Sequence, residues 1–129
     1  MAVMADTTPV AALAADAGTT IYHNPRCSTS RTVLGTLQDA GLNPTIIRYL
    51  ETPPDEATLR ALLTDAGLQP SQAIRKRESL YSELGLAGKS EDELLAAMVE
   101  NPILIERPIV VTSKGTRLAR PARVVDEIL

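Results

Sequence analysis

The chain has a single cysteine and a single histidine among its 129 residues. One cysteine closes no disulfide within the chain, so there is no disulfide framework, and a reducing compartment, by default the cytoplasm, suits the composition. No apolar run reaches the ~18 residues of a transmembrane helix. No basic excess is present either: the net charge is −3, which counts against a general nucleic-acid or membrane-surface binder. The opening stretch, MAVMADTTPVAALAADAG, lacks the basic n-region of a secretory signal, and there are no internal repeats. What is present is ordinary for one soluble domain, with 44% hydrophobic and 22% charged residues, enough for one hydrophobic core and too little for two full ones.

Residues 1–18 show no apolar period and include Pro9 and Gly18, so they read as a flexible extension, with Met4 as another candidate start. TTIYHNP is then a short β-favouring run ended by Pro25. From Ser28 to Ala40, Val33, Leu34, Leu37 and Ala40 recur at helical spacing, with Gly41 as a stop. PTIIRYL is a second strand, which makes a β–α–β unit with parallel strands. The middle, 53–101, reads as helical. Pro54, Asp55 and Glu56 open one helix with Leu59, Leu62, Leu63 and Ala66 as its buried stripe. PSQAIRKRESLYSELGL is a second helical segment, and SEDELLAAMVENP opens with Ser90 and Glu93 at capping-box spacing, burying Leu94, Leu95 and Met98. Ile109–Val111 and Thr116–Leu118 flank a turn at Lys114-Gly115 and predict a hairpin; ARVVDEIL closes as a short helix. The order is that of an α/β mixed sheet with a helical insertion, forming a single domain over 19–129.

The two rare residues share one loop, IYHNPRCSTSR. Cys27 falls where a strand and turn run into a helix start, a position whose free N–H groups and dipole favour an anion, and so favour thiolate over thiol. Ser28, Thr29 and Ser30 add hydroxyls, and His23 and Arg26 are candidate sources of positive charge. The loop has the form of a thioredoxin-type redox loop in which Asn24 replaces the first cysteine of C-x-x-C. With no second thiol in the chain, any disulfide step at Cys27 must recruit a thiol from outside. Thirteen Lys and Arg residues are spread along the sequence. Arg107 and Arg120 each precede a proline at a strand end, and a thioredoxin-like fold places a cis-proline at the first of these points, facing the active thiol. Both arginines are candidates for forked binding of a tetrahedral oxyanion.

From about Thr20 onward the chain resembles the glutaredoxin-coupled arsenate reductase (ArsC) family, through IYHNPRCSTSR, PTIIRYLETPP, AIRKRESLYSELGL, NPILIERPIVVT and GTRLARP in family order. The stop at VVDEIL is similar to its short-form branch. The resemblance implies a thioredoxin-like fold with an inserted helical subdomain over about 53–101. It implies that Cys27 is the nucleophile, that His23 helps hold the thiolate, and that Ser30 hydrogen-bonds within the loop. Arg75, Arg107 and Arg120 are implied to bind the oxyanion. The implied reaction is arsenate reduction to arsenite through a cysteine–arsenate adduct, with glutathione as co-substrate, glutaredoxin as partner and no bound metal or cofactor. A monomer without nucleic-acid or membrane partners is expected. Two other readings remain: a glutathione-dependent thiol oxidoreductase acting on another substrate, and a redox regulatory interaction protein, which the missing C-x-x-C pair disfavours.

Overall fold

The computed structural model describes residues 18–129; the extension expected over 1–18 lies, up to residue 17, outside the described residues. Strand β1 (Thr20–His23), helix α1 (Ser28–Asp39) and strand β2 (Thr45–Arg48) form the expected unit. β1 and β2 are parallel, with Thr20 opposite Thr45 and His23 opposite Arg48. α1 ends where the sequence stops it. Gly41, at φ 84°, donates to the Gln38 carbonyl, and the Leu42 N–H reaches back to Leu37. That pair of bonds satisfies carbonyls the helix would otherwise leave open, in a backbone conformation that glycine adopts without steric cost. Along α1 the buried face is Ser30, Val33 and Leu37. Leu34 is only partly buried, and Ala40, as the C-cap, is exposed.

Helices α2 (Glu56–Asp65) and α5 (Glu91–Glu100) match their sequence signals. The α2 N-cap, Asp55, accepts from the Thr58 N–H at 2.8 Å. At α5 the box closes both ways: Ser90 Oγ accepts from the Glu93 N–H at 3.1 Å, and Glu93 Oε1 accepts from the Ser90 N–H at 3.0 Å. The segment read as one helix over PSQAIRKRESLYSELGL is instead two short ones, α3 (Pro70–Ala73) and α4 (Ser79–Glu83). Its continuity is lost to a tertiary pairing. Ile74 forms an antiparallel bridge with Ile105, the Arg75 N–H donates to the Leu104 carbonyl, and the Glu106 N–H donates to Ala73, both at 2.8 Å. Backbone groups that a helix would have used locally are thus spent on the chain entering the last strands.

Strands β3 (Ile109–Thr112) and β4 (Gly115–Leu118) pair antiparallel around a turn one residue earlier than read, at Ser113-Lys114, with Thr112 opposite Gly115. The sheet order is β2-β1-β3-β4. The closing segment, Ala122–Ile128, is a 3₁₀ helix. Period-two alternation divides the apolar residues between two faces. Ile21 and Val110 join Val33, Leu37, Val125 and Ile128 on the α1 side. Ile109, with Tyr22, Val111 and Leu118, packs against Leu59, Leu95, Met98 and Leu104 of the helical insertion. The sheet is therefore the middle of three layers, and each fully buried leucine contributes roughly 2 kcal/mol by leaving water.

Candidate active site

Register brings the chemistry to one end of the sheet. Tyr22 stands opposite Ile109, and Ile109 opposite Leu118. The loop leaving β1 toward Cys27, the chain entering β3 through Arg107 and the chain leaving β4 at Arg120 therefore emerge side by side. Both the Arg107–Pro108 and Arg120–Pro121 peptide bonds are cis; the first was expected from the sequence. Arg75 arrives by the other route, the Ile74–Ile105 bridge that ties it to the strand entering β3.

Cys27 is the N-cap of α1, in extended conformation, and only 9% exposed. Its N–H donates to the Asn24 carbonyl, and its carbonyl accepts from Arg31, both at 3.0 Å. Arg120 Nη1 donates to Sγ at 3.6 Å and to the Arg107 carbonyl at 3.3 Å. Burial is the strongest single influence on the thiol and opposes ionisation. The Ser30 backbone N–H, the Arg107 charge and hydrogen bonds from Arg120 and Arg107 together outweigh it, so the thiol lies below its ordinary pKa. Aimed at the start of a 12-residue helix, this sulfur is favoured as a thiolate nucleophile.

The other loop residues have different work from the one their charges suggested. His23 is buried, and its Nδ1 lies 2.7 Å from Ser30 Oγ. Burial first, then Arg48 and Arg31, push its pKa below the ordinary value, so the ring favours its neutral form. It is therefore not the cation beside the sulfur, and neither is the exposed Arg26; those cations are Arg107 and Arg120. Ser30 is fully buried, and its hydroxyl also accepts from the Asn24 N–H at 3.1 Å, tying the loop to the helix it enters. Asn24 Oδ1 accepts from the Arg26 N–H at 2.9 Å. Ser28 is exposed and Thr29 half-buried.

The three sequence-selected arginines meet around one carboxylate. Glu106 Oε1 lies 3.1 Å from Arg107 Nη1, 4.0 Å from Arg75 Nε and 4.0 Å from Arg120 Nε. Arg75 is further held by Glu78 at 3.4 Å and by the Ile103 carbonyl at 3.2 Å. Beside this cluster Arg107 Nε is buried without a hydrogen-bond partner among the described residues, and the Tyr49 hydroxyl is buried with the Asn24 side chain as its polar partner. Burial raises the Tyr49 pKa, and the polar groups acting on it are Asn24, Arg107, Arg75 and Cys27. A cleft of about 630 Å³ runs along Arg75, Glu106 and Arg107 and continues past Ser71, Lys76 and Arg77.

Sequence reasoning missed Glu106 and Tyr49. Glu106 has one local signal, its place beside Arg107, but its position among arginines 31 residues upstream and 14 downstream comes from tertiary structure. Tyr49 read only as one more β-favouring residue.

Comparison with known proteins identifies the family. The ArsC family model matches residues 22–128. An arsenate reductase of Rhizobium meliloti (strain 1021) is 52% identical over 112 residues, 85% of this chain and 80% of that protein. An uncharacterised protein, YfgD, of Escherichia coli (strain K12) is 50% identical over 112 residues, 84% of this chain and 94% of that protein. The solved structure of an arsenate reductase from Vibrio cholerae superposes with a TM-score of 0.82 at 46% identity, covering 86% of this chain and 97% of that one. Among the described residues no helix is long and apolar enough to cross a membrane. A mixed four-stranded sheet of thioredoxin-like fold, with a cysteine at a helix start facing a cluster of arginines, is what the match spans, and the chain belongs to the ArsC family.

Proposed function

We propose that this protein is an enzyme that reduces arsenate to arsenite through Cys27, drawing its second thiol from solution. The observation that carries the reading is the meeting of an ionisation-prone sulfur, 3.6 Å from Arg120, with the Arg75–Arg107–Arg120 cluster. Arginine forks hold a tetrahedral oxyanion in place, and the thiolate attacks arsenic with loss of hydroxide. Glutathione then attacks the adduct. The two thiols lose two electrons and end as a mixed disulfide on Cys27, while arsenic goes from As(V) to As(III) and leaves as arsenite. Glutaredoxin removes glutathione from Cys27 by thiol exchange, restoring the thiolate. The chain's one cysteine agrees with this dependence on outside thiols. The cleft beside the arginines, with Lys76 and Arg77 in its lining, suits a thiol carrying carboxylates. A reducing compartment such as the cytoplasm is where this chemistry runs.

The test is arsenate-dependent NADPH oxidation in the presence of glutathione, glutaredoxin and glutathione reductase, with wild type and Cys27→Ser side by side. Turnover by wild type and none by the variant is expected. Equal rates for the two, or no wild-type rate above background, would sink the reading.

A further inference from the structure

We propose that Glu106 is a place-holder in the arginine cluster: its carboxylate stands where an oxyanion is to bind, and the incoming anion must displace it. This rests on reading Arg75, Arg107 and Arg120 as the oxyanion clamp.

The geometry is that of an internal ligand. One oxygen, Oε1, is within 3.1 Å of Arg107 and 4.0 Å of both Arg75 and Arg120. No other carboxylate among the described residues has this position; Glu78 reaches only Arg75. Three guanidinium groups gathered in one place repel one another, and the carboxylate offsets that repulsion before substrate arrives. Its backbone is fixed by the bond from its N–H to the Ala73 carbonyl. The side chain, however, is 26% exposed and borders the cleft, so it has open space into which to turn.

The occupancy is also incomplete. Glu106 engages Arg107 through Nη1 alone and leaves Nε buried without a hydrogen-bond partner. A guanidinium fork reaches full strength when two of its N–H groups engage one anion in parallel. A tetrahedral oxyanion has the oxygens to take both nitrogens of Arg107 and still meet Arg75 and Arg120. An anion that offers a single contact gains nothing over the carboxylate already present. Glu106 thus sets a threshold: it lowers affinity for every anion and leaves the site to those that make several charged contacts at once.

Glu106→Gln tests this, since the amide keeps an oxygen for Arg107 while the negative charge is removed. Binding of inorganic phosphate, sulfate and arsenate to the reduced protein is measured by calorimetry and by protection of Cys27 from iodoacetamide. Arg107→Ala serves as the clamp control and Glu78→Gln as a charge control. Removing one negative charge about 4 Å from the bound anion is expected to tighten binding about fivefold, with a smaller change for Glu78→Gln. Equal or weaker binding by Glu106→Gln, while wild type binds and Arg107→Ala does not, overturns the place-holder role and leaves the clamp standing. Absence of oxyanion binding by both wild type and Glu106→Gln overturns the clamp reading and this inference with it.

Discussion

Replacing Arg120 with glutamine removes a cation that donates to the Cys27 sulfur and leaves the rest of the thiol's surroundings in place. Arg120 Nη1 donates to Sγ at 3.6 Å. Two unit charges at that separation interact by about 1 kcal/mol under water's screening and by about 5 kcal/mol at an effective dielectric of 20. The Arg120 side chain is 27% exposed and Cys27 9%, so the interaction falls between these two figures. Loss of this contact should therefore raise the thiol pKa. In the variant the Ser30 N–H and Arg107 still favour the thiolate, against burial, which opposes it.

The sign follows from the direction of the shift. A thiol held below its ordinary value carries more thiolate at neutral pH, and Arg120→Gln moves the population back toward the protonated form. Rate alone understates this. A more basic thiolate is intrinsically the better nucleophile, with a Brønsted coefficient of about 0.4–0.5, so tenfold less thiolate slows alkylation only about three- to fourfold. The assay is therefore a full titration, following thiolate absorbance in the ultraviolet and the iodoacetamide rate as functions of pH. Thermal melting beside it checks that the variant is folded. A folded variant with an unchanged thiol pKa would refute the claim that Arg120 holds the sulfur ionised.

Two further outcomes follow from the loop. His23 is the only histidine, so its ring protons give one NMR titration, and the midpoint should lie below the ordinary 6.5, chiefly because of burial. The folded state then binds fewer protons than the unfolded chain between the two values, so stability is full above the ordinary value and declines as pH falls from it through the lowered one; a midpoint at or above 6.5 contradicts this. Ser30→Ala should destabilise the protein by about 1–3 kcal/mol in denaturant titrations, since His23 and the Asn24 N–H lose a buried partner. Its effect on the thiol should be small, because it is the backbone N–H of residue 30 that acts on the sulfur; a rise as large as in Arg120→Gln would assign the hydroxyl a direct role.

What was legible in the sequence is what local physics writes there. The Ser90–Glu93 box, the Gly41 stop after α1 and the apolar periods of α2 and α5 act within a few residues and stand where the pattern put them, except that Ala66 is the half-buried C-cap of α2 rather than part of its buried stripe. The break between α3 and α4 was illegible because its cause, Ile105, lies 31 residues beyond Ile74. Arg75 sits at that break. Composition could not distinguish it from Lys76 or Arg77, and only the family resemblance selected it. Whether His23 is charged could not be read from the sequence, because burial and the charges of Arg48 and Arg31 decide its protonation.

Those distances in sequence also explain how the site divides its work. Asn24 and Ser30 hold the sulfur's position through backbone and hydroxyl bonds made within the loop, so that geometry is settled as soon as α1 forms on β1. The charge that ionises the sulfur comes from the start of β3 and the end of β4, and arrives only when the sheet is in register. Arg75 is positioned from the helical insertion, by the neighbouring Ile74–Ile105 bridge, its N–H bond to Leu104 and the contacts of its side chain with Glu78 and the Ile103 carbonyl. A loosened insertion would therefore withdraw one arginine and leave the Cys27 loop and its two nearest cations in place. Loss of the β1–β3 register would remove Arg107 and Arg120 together. On this arrangement the thiol's acidity depends on the sheet, and oxyanion affinity depends on both the sheet and the insertion. Core substitutions separate the two: Met98→Ala, on the insertion side, should weaken oxyanion binding before it disturbs the thiol titration.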